Sequence, residues 1–150
     1  MPSLVWLITG TSSGIGRELA LAALKRGDKV IATGRKRSLA QVEELKAHGA
    51  DVLELDVTAP LDQLKQVAQK AVAIHGRVDI VVNNAARKRP WSNSSTSYLR
   101  CIASCRAHGA PSVFSVGLFG GLNVARAFLP YLRKQRSGMI IWNGSLCGWV

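Results

Sequence analysis

No aspartate or glutamate occurs beyond Asp79. Residues 1–79 carry eleven Lys/Arg and all nine Asp/Glu, whereas residues 80–150 carry nine Lys/Arg and no acid. A globular surface normally mixes both signs. An acid-free run this long points to a polyanion-binding face, to a missing acidic remainder, or to a stretch whose sequence is foreign to the rest. The basic residues form no stripe with interleaved aromatics, which disfavours nucleic acid and favours the last two readings. Cysteine is scarce: Cys101, Cys105 and Cys147. An odd count with no leader argues for free thiols and against a disulfide framework. Cys101, Cys105 and His108 lack a second ligand pair, so no zinc site is expected. No apolar run reaches the roughly 18 residues of a membrane span. The N-terminus, "MPSLVWLITG", has no basic region ahead of its apolar stretch. The expectation is a protein without a secretory leader, without a membrane span, and cytoplasmic.

What is present fits one domain of 150 residues, 47% apolar and 19% charged. Val5 to Ile8 is a short apolar run closed by Thr9-Gly10, a buried strand. Ile15, Leu19, Ala22 and Ala23 then recur at helical spacing up to Gly27. "KVIAT" (29–33) predicts a second strand, and Leu39, Val42 and Leu45 a helix ending near Gly49. "DVLEL" (51–55) predicts a third strand. Leu61, Leu64, Val67, Ala68, Ala71 and Val72 trace one face of a longer helix, and "DIVV" (79–82) a fourth strand. This alternation predicts an α/β fold, a doubly wound parallel sheet with helices on both faces. Residues 87–111 break the order with excess Arg, Ser and Cys and no clean period. Leu118, Leu122, Ala125, Leu129 and Leu132 restore a helical stripe, and Met139 to Trp142 predicts a fifth strand. That strand runs into Ser145, a strand-end serine.

"TGTSSGIG" (9–16) lies between the first strand and the first helix. Gly10 permits the tight turn, Gly14 lets backbone approach a diphosphate, and Gly16 permits close helix–strand packing. The helix N-terminus, opening at Ile15, offers free N–H groups and a positive dipole end. Ser12 and Ser13 add hydroxyl donors.

"TGTSSGIG", "LDVT" (55–58) and "NNA" (83–85), in this order, resemble the short-chain dehydrogenase/reductase family. The resemblance covers 3–86 and resumes over 114–150. It implies a Rossmann sheet binding NAD or NADP. It implies that Asp56 bonds the adenine amino group with Val57 beside the ring. Asn83 to Ala85 would line the cofactor and steady the central strand. Ala86 stands where the family usually has glycine. At the end of the second strand an acid would bond the ribose 2′-hydroxyl and repel a 2′-phosphate. Gly34 stands there instead, followed by Arg35, Lys36 and Arg37. The expected cofactor is therefore NADP(H) in preference to NAD(H), with Arg35 as main phosphate contact and Arg17 as a second candidate.

The family reduces a carbonyl with a tyrosine, a lysine four residues later, a strand-end serine and a helical asparagine. By resemblance, Ser145 matches the serine and would bond the substrate oxygen, with Gly144 replacing a frequent first serine. Gly117 occupies the asparagine's place. Tyr98 and Tyr131 are followed four residues later by Ile102 and Gln135, so neither starts the pair. The resemblance would place the pair about a dozen residues past Ser145. The expectation is one domain over 1–150 with an incomplete C-terminal half, ending before its proton donor. Residues 87–111 are read as an irregular insert, translated from a shifted frame or unspliced sequence in a truncated or mispredicted product.

The leading reading is the NADP(H)-binding part of a short-chain oxidoreductase, inactive as given, whose intact relatives act on a carbonyl or secondary alcohol. The alternative is a catalytically dead nucleotide-binding or interaction protein, with a polyanion binder ranked third. The resemblance also admits a homodimer through the helix over 114–136.

Overall fold

The short apolar runs become strands in the computed structural model, which describes residues 3–86 and 115–144. The elements are β1 (Val5–Thr9), α1 (Ile15–Lys25), β2 (Lys29–Gly34), α2 (Leu39–Glu43), β3 (Asp51–Glu54), α3 (Leu61–His75), β4 (Ile80–Asn83), α4 (Gly121–Lys134) and β5 (Met139–Trp142). Single-turn 3₁₀ segments flank α2 at Lys36–Ser38 and Glu44–His48, and a π-helical segment, Ser115–Gly120, leads into α4. All strand pairs are parallel, in the order β3-β2-β1-β4-β5. The reversal of strand order falls between β1 and β4, where an open α/β sheet forms its crevice.

Strand alternation sends side chains to two cores. Val5 and Leu7 of β1 join Ile31 and Val81 against Leu64, Ala68 and Ala71 of α3 and Val124, Ala127 and Phe128 of α4. Ile8 joins Val30, Ala32 and Val82 against Ala20 and Ala23 of α1 and against Val42 and Leu45. Helices therefore cover both faces, as the doubly wound reading predicts. Phe128, Leu7, Ile8 and Ile31 are among the largest fully buried side chains. Burial of each stabilises the fold by about 1.5–3 kcal/mol.

Two helix faces differ from the sequence expectation. On α1 the buried residues are Gly16, Ala20 and Ala23, while Ile15 is 67% exposed and Ala22 is exposed. Small residues face the sheet because α1 lies close to it, and the larger Leu19, Leu21 and Leu24 pack at the margins. On α4 the buried face is Gly121, Val124, Ala125, Ala127, Phe128 and Leu132, whereas Leu118 and Leu122 are exposed. Leu118 lies in the π-helical segment, where the residue period differs from that of α4, while Ala125 and Leu132 of the expected stripe are buried.

The N-terminal edge of the sheet is fixed by two buried carboxylates. Asp28, at the entry to β2, accepts the Leu4 N–H and the Trp6 indole N–H and pairs with Arg26. Asp79, at the entry to β4, accepts the Val5 N–H at 2.9 Å and pairs with Arg77. β1 is thus held at its start from both neighbouring strands. Among the described residues no helix is long and apolar enough to cross a membrane.

Candidate dinucleotide site

The opposite edge of the sheet carries the glycine turn. Thr9, buried at the end of β1, donates its hydroxyl to the Val82 carbonyl and accepts the N–H groups of Asn84 and Ala85, each at 2.9 Å. On the other side the N–H groups of Gly10 and Thr11 and the Thr11 hydroxyl all donate to the Thr33 carbonyl at 3.1 Å. The Thr33 hydroxyl donates in turn to the Ile8 carbonyl. The turn is therefore stitched to β2 and β4 before α1 begins.

Each glycine of the turn meets a different constraint. Gly10 adopts φ +72°, and a Cβ there would lie 2.8 Å from the Ala85 Cα. Gly14, the N-cap residue of α1, adopts φ +64° and is exposed, with none of the described residues within 4 Å of a Cβ. Among the described residues no side chain caps the helix. Donors of the first turn and the positive dipole end are therefore available to an anion. Ser12 and Ser13 are half-buried on the same turn, and Ile15 is exposed beside it. A Cβ on Gly16 would collide with the Asn84 amide and lie 2.5 Å from the Gly10 carbonyl oxygen. The close packing expected of Gly16 thus includes the turn itself and Asn84.

The basic segment after β2 lies at the same sheet edge. Gly34 is buried, and a Cβ would stand 2.7 Å from the Val42 side chain, so packing leaves no room for an acid. Arg35 is half-buried, and its carbonyl accepts both the N–H and the hydroxyl of Ser38. Lys36 and Arg37 are exposed. Arg17 makes an exposed ion pair with Glu44 at 2.8 Å.

Asp56 is exposed just past β3 and accepts the N–H and hydroxyl of Thr58 at 2.9 and 2.7 Å. Partial burial works against its ionisation. The two Thr58 bonds, with the charges of Arg35 and Arg37, outweigh that and hold the carboxyl below its ordinary value. It is an ionised acceptor at neutral pH, and the two arginines are close enough to act on it. The Val57 side chain is buried in the core against Gly120, so what Val57 offers to the crevice is backbone.

At the end of β4, Asn83 is buried and donates to the Gly121 carbonyl at 3.3 Å, while its Oδ1 has no partner among the described residues. The Asn84 amide donates to the carbonyls of Thr9 and Gly10 at 2.9 and 3.2 Å, and its oxygen accepts Asn143 Nδ2 at 2.9 Å. Ala85 packs on Gly10. The structure therefore brings Gly10–Gly16, Arg35, Asp56 and Asn83–Ala85 to one edge of the sheet. Ser145, Tyr98, the three cysteines and the 87–111 insert lie outside the described residues. Gly117 sits in the π-helical segment, with none of the described residues within 4 Å of where a Cβ would be. Among the described residues no group of three metal-ligating side chains occurs. The sequence reading missed the structural parts of Thr9, Thr33 and Asn143. A polar residue at a strand end is the signal that marks all three.

The profile of the family described as "short chain dehydrogenase" matches residues 4–150. The chain is 34% identical over 148 residues to the 3-oxoacyl-[acyl-carrier-protein] reductase FabG of Thermotoga maritima, covering 96% of this chain and 56% of the relative. It is 34% identical to Oxidoreductase BOA17 of Botryotinia fuckeliana, covering 96% and 50%. A crystal structure of a short-chain dehydrogenase from Streptomyces avermitilis superposes with a TM-score of 0.74 at 34% identity, covering 99% of this chain and 51% of the other. The chain spans about half the length of these relatives. With its parallel five-stranded sheet and glycine turn, the chain belongs to the short-chain dehydrogenase family.

Proposed function

We propose that this chain is the NADP(H)-binding part of a short-chain oxidoreductase that interconverts a carbonyl and a secondary alcohol. The observation that carries the reading is the uncapped start of α1 behind Gly14, open to solvent and braced from both sides by Thr9 and Thr33. Such a turn suits a dinucleotide diphosphate. Gly10, Ser12, Ser13, Gly14, Ile15 and Gly16 hold the diphosphate. Asp56, ionised and acceptor-only, takes the adenine amino group, with the Val57 backbone beside the ring. Asn83 and Ala85 line the floor. Arg35 takes the 2′-phosphate, for which a planar guanidinium is suited.

The bound nicotinamide would supply hydride, and the protein's part is to bind and orient it. Ser145 would hold the substrate oxygen. Gly117 offers no amide, and neither tyrosine of the chain has a lysine four residues on. Residues 1–150 taken by themselves are proposed to bind cofactor without turning substrate over. The relatives named as 3-oxoacyl reductases support an oxo group as the substrate's reacting centre. Cytoplasmic placement belongs to the same proposal, as does pairing of two copies through the α4 segment, where Leu118, Phe119 and Leu122 are exposed.

The test is a titration of the purified chain with NADPH and NADH, followed by a carbonyl panel. NADPH should bind more tightly, and no substrate should turn over. Tighter NADH binding contradicts the Arg35 assignment. Clear turnover contradicts the loss of catalysis.

A further inference from the structure

We propose that Asn143 is a positioning residue that locks the dinucleotide turn in shape through Asn84. The starting point is which way the Asn84 amide must face. Its NH₂ group lies against two acceptors, the carbonyls of Thr9 at 2.9 Å and Gly10 at 3.2 Å. A flipped amide would set its oxygen against both. The Asn84 oxygen therefore points away from the turn, toward β5, and there Asn143 Nδ2 donates to it at 2.9 Å. Asn143 is placed for this by its own backbone, whose N–H donates to the Asn83 carbonyl at 3.0 Å and extends the β4–β5 ladder by one bond.

The Asn84 amide is also the group that a Cβ on Gly16 would strike. It fills the space between the turn, the first residues of α1 and the end of β4. Three segments distant in sequence thus meet on one side chain, and Asn143 fixes its rotamer. The consequence is a link between the end of β5, two residues before Ser145, and the backbone that faces the open end of α1. Losing the Asn143 donor leaves the Asn84 oxygen without its protein partner and frees the amide to rotate away from Thr9 and Gly10.

This inference deepens the dinucleotide reading and rests on it for the binding readout alone. The experiment compares the parent chain with N143A and N143D. Affinities for NADP⁺ and NAD⁺ are measured from neutral pH down to about pH 4, the carboxyl range. Hydrogen exchange of the Asn84 side-chain amide is followed in parallel. In N143D the introduced carboxylate faces the Asn84 oxygen with no proton to donate. Both cofactors should weaken equally, by roughly five- to tenfold, the scale of one hydrogen bond. Equal loss is expected because the link acts on the diphosphate turn and leaves Arg35 alone. Affinity should return toward the parent value as the pH falls and the introduced carboxyl gains a proton. N143A should show a smaller loss without pH recovery. In both variants Asn84 amide exchange should quicken near neutral pH.

Binding within about twofold of the parent at every pH, or unchanged Asn84 exchange, overturns the proposal. So does a loss that follows the thermal midpoint alone, without recovery in acid. A parent chain that binds neither dinucleotide contradicts the proposed function instead, and the exchange measurement then decides the Asn84 link by itself.

Discussion

Arg35 and Arg17 show why charge and position have to be weighed together. Both are arginines near the mouth of the crevice, and the sequence alone makes both candidates for a phosphate. Arg17 makes an exposed ion pair with Glu44, whereas Arg35 stands at the start of the loop after β2 with Asp56 in electrostatic reach. Charge-assisted hydrogen bonds contribute about 1.5–3 kcal/mol. R35A should therefore weaken NADPH by about ten- to a hundredfold and leave NADH within about twofold, measured by calorimetry. Equal loss of both dinucleotides would show that Arg35 supports the loop and does not read the phosphate. The tight turn at Gly10 was legible because its positive φ is a local need, whereas the packing of Gly10 on Ala85 and of Gly16 on Asn84 was not. The Asn84–Asn143 bond was not, since 59 residues separate its partners and no spacing rule connects them.

Among the elements, strands were easier to read than helix faces. A strand buried on both sides is a short apolar run, and "VWLIT", "KVIATG" and "IVVN" are such runs. Helix faces depend on how closely the helix approaches the sheet. Gly16, Ala20 and Ala23 mark α1's contact face, a pattern that a search for large apolar residues passes over. The carboxylates at the strand entries were equally hidden, because their partners come from another strand. Asp28 illustrates their energetic role. Burial alone would raise its pKa. The Leu4 N–H, Arg26 and the Trp6 indole outweigh burial and hold the carboxyl below the ordinary 3.8. A carboxylate with a depressed folded pKa contributes stability that is complete above its unfolded value and is lost as the pH falls through the folded one. D28N should lower the thermal midpoint at neutral pH, and its gap to the parent should close below about pH 4. A gap constant down to pH 2 would mean that the charge of Asp28 has no part in holding β1.

For the molecule as a whole, the two ends of the sheet have separate tasks. The strand entries hold the carboxylate clamps and the strand exits hold the glycine turn. Among the described residues, the acid-free half places cations at the end of α4. Arg133, Lys134 and Arg136 are exposed where α4 ends and β5 begins, next to the strand entries and away from the turn. Among the described residues, Arg35 and Arg37, from the acid-containing half, are the cations that act on Asp56. Net charge legible in the sequence therefore does not point to the proposed anion site, whereas motif order does. The central claim is that backbone between Thr9 and Gly16 grips a diphosphate. Its most direct test is amide-resolved NMR of the chain titrated with NADP⁺ and, separately, with inorganic pyrophosphate. The account predicts the largest shifts at Gly10, Gly14, Ile15 and Gly16 with both ligands, joined by Arg35 with NADP⁺ alone. Unmoved glycines, with shifts gathered at Arg133 and Arg136, would contradict it and favour a polyanion-binding surface.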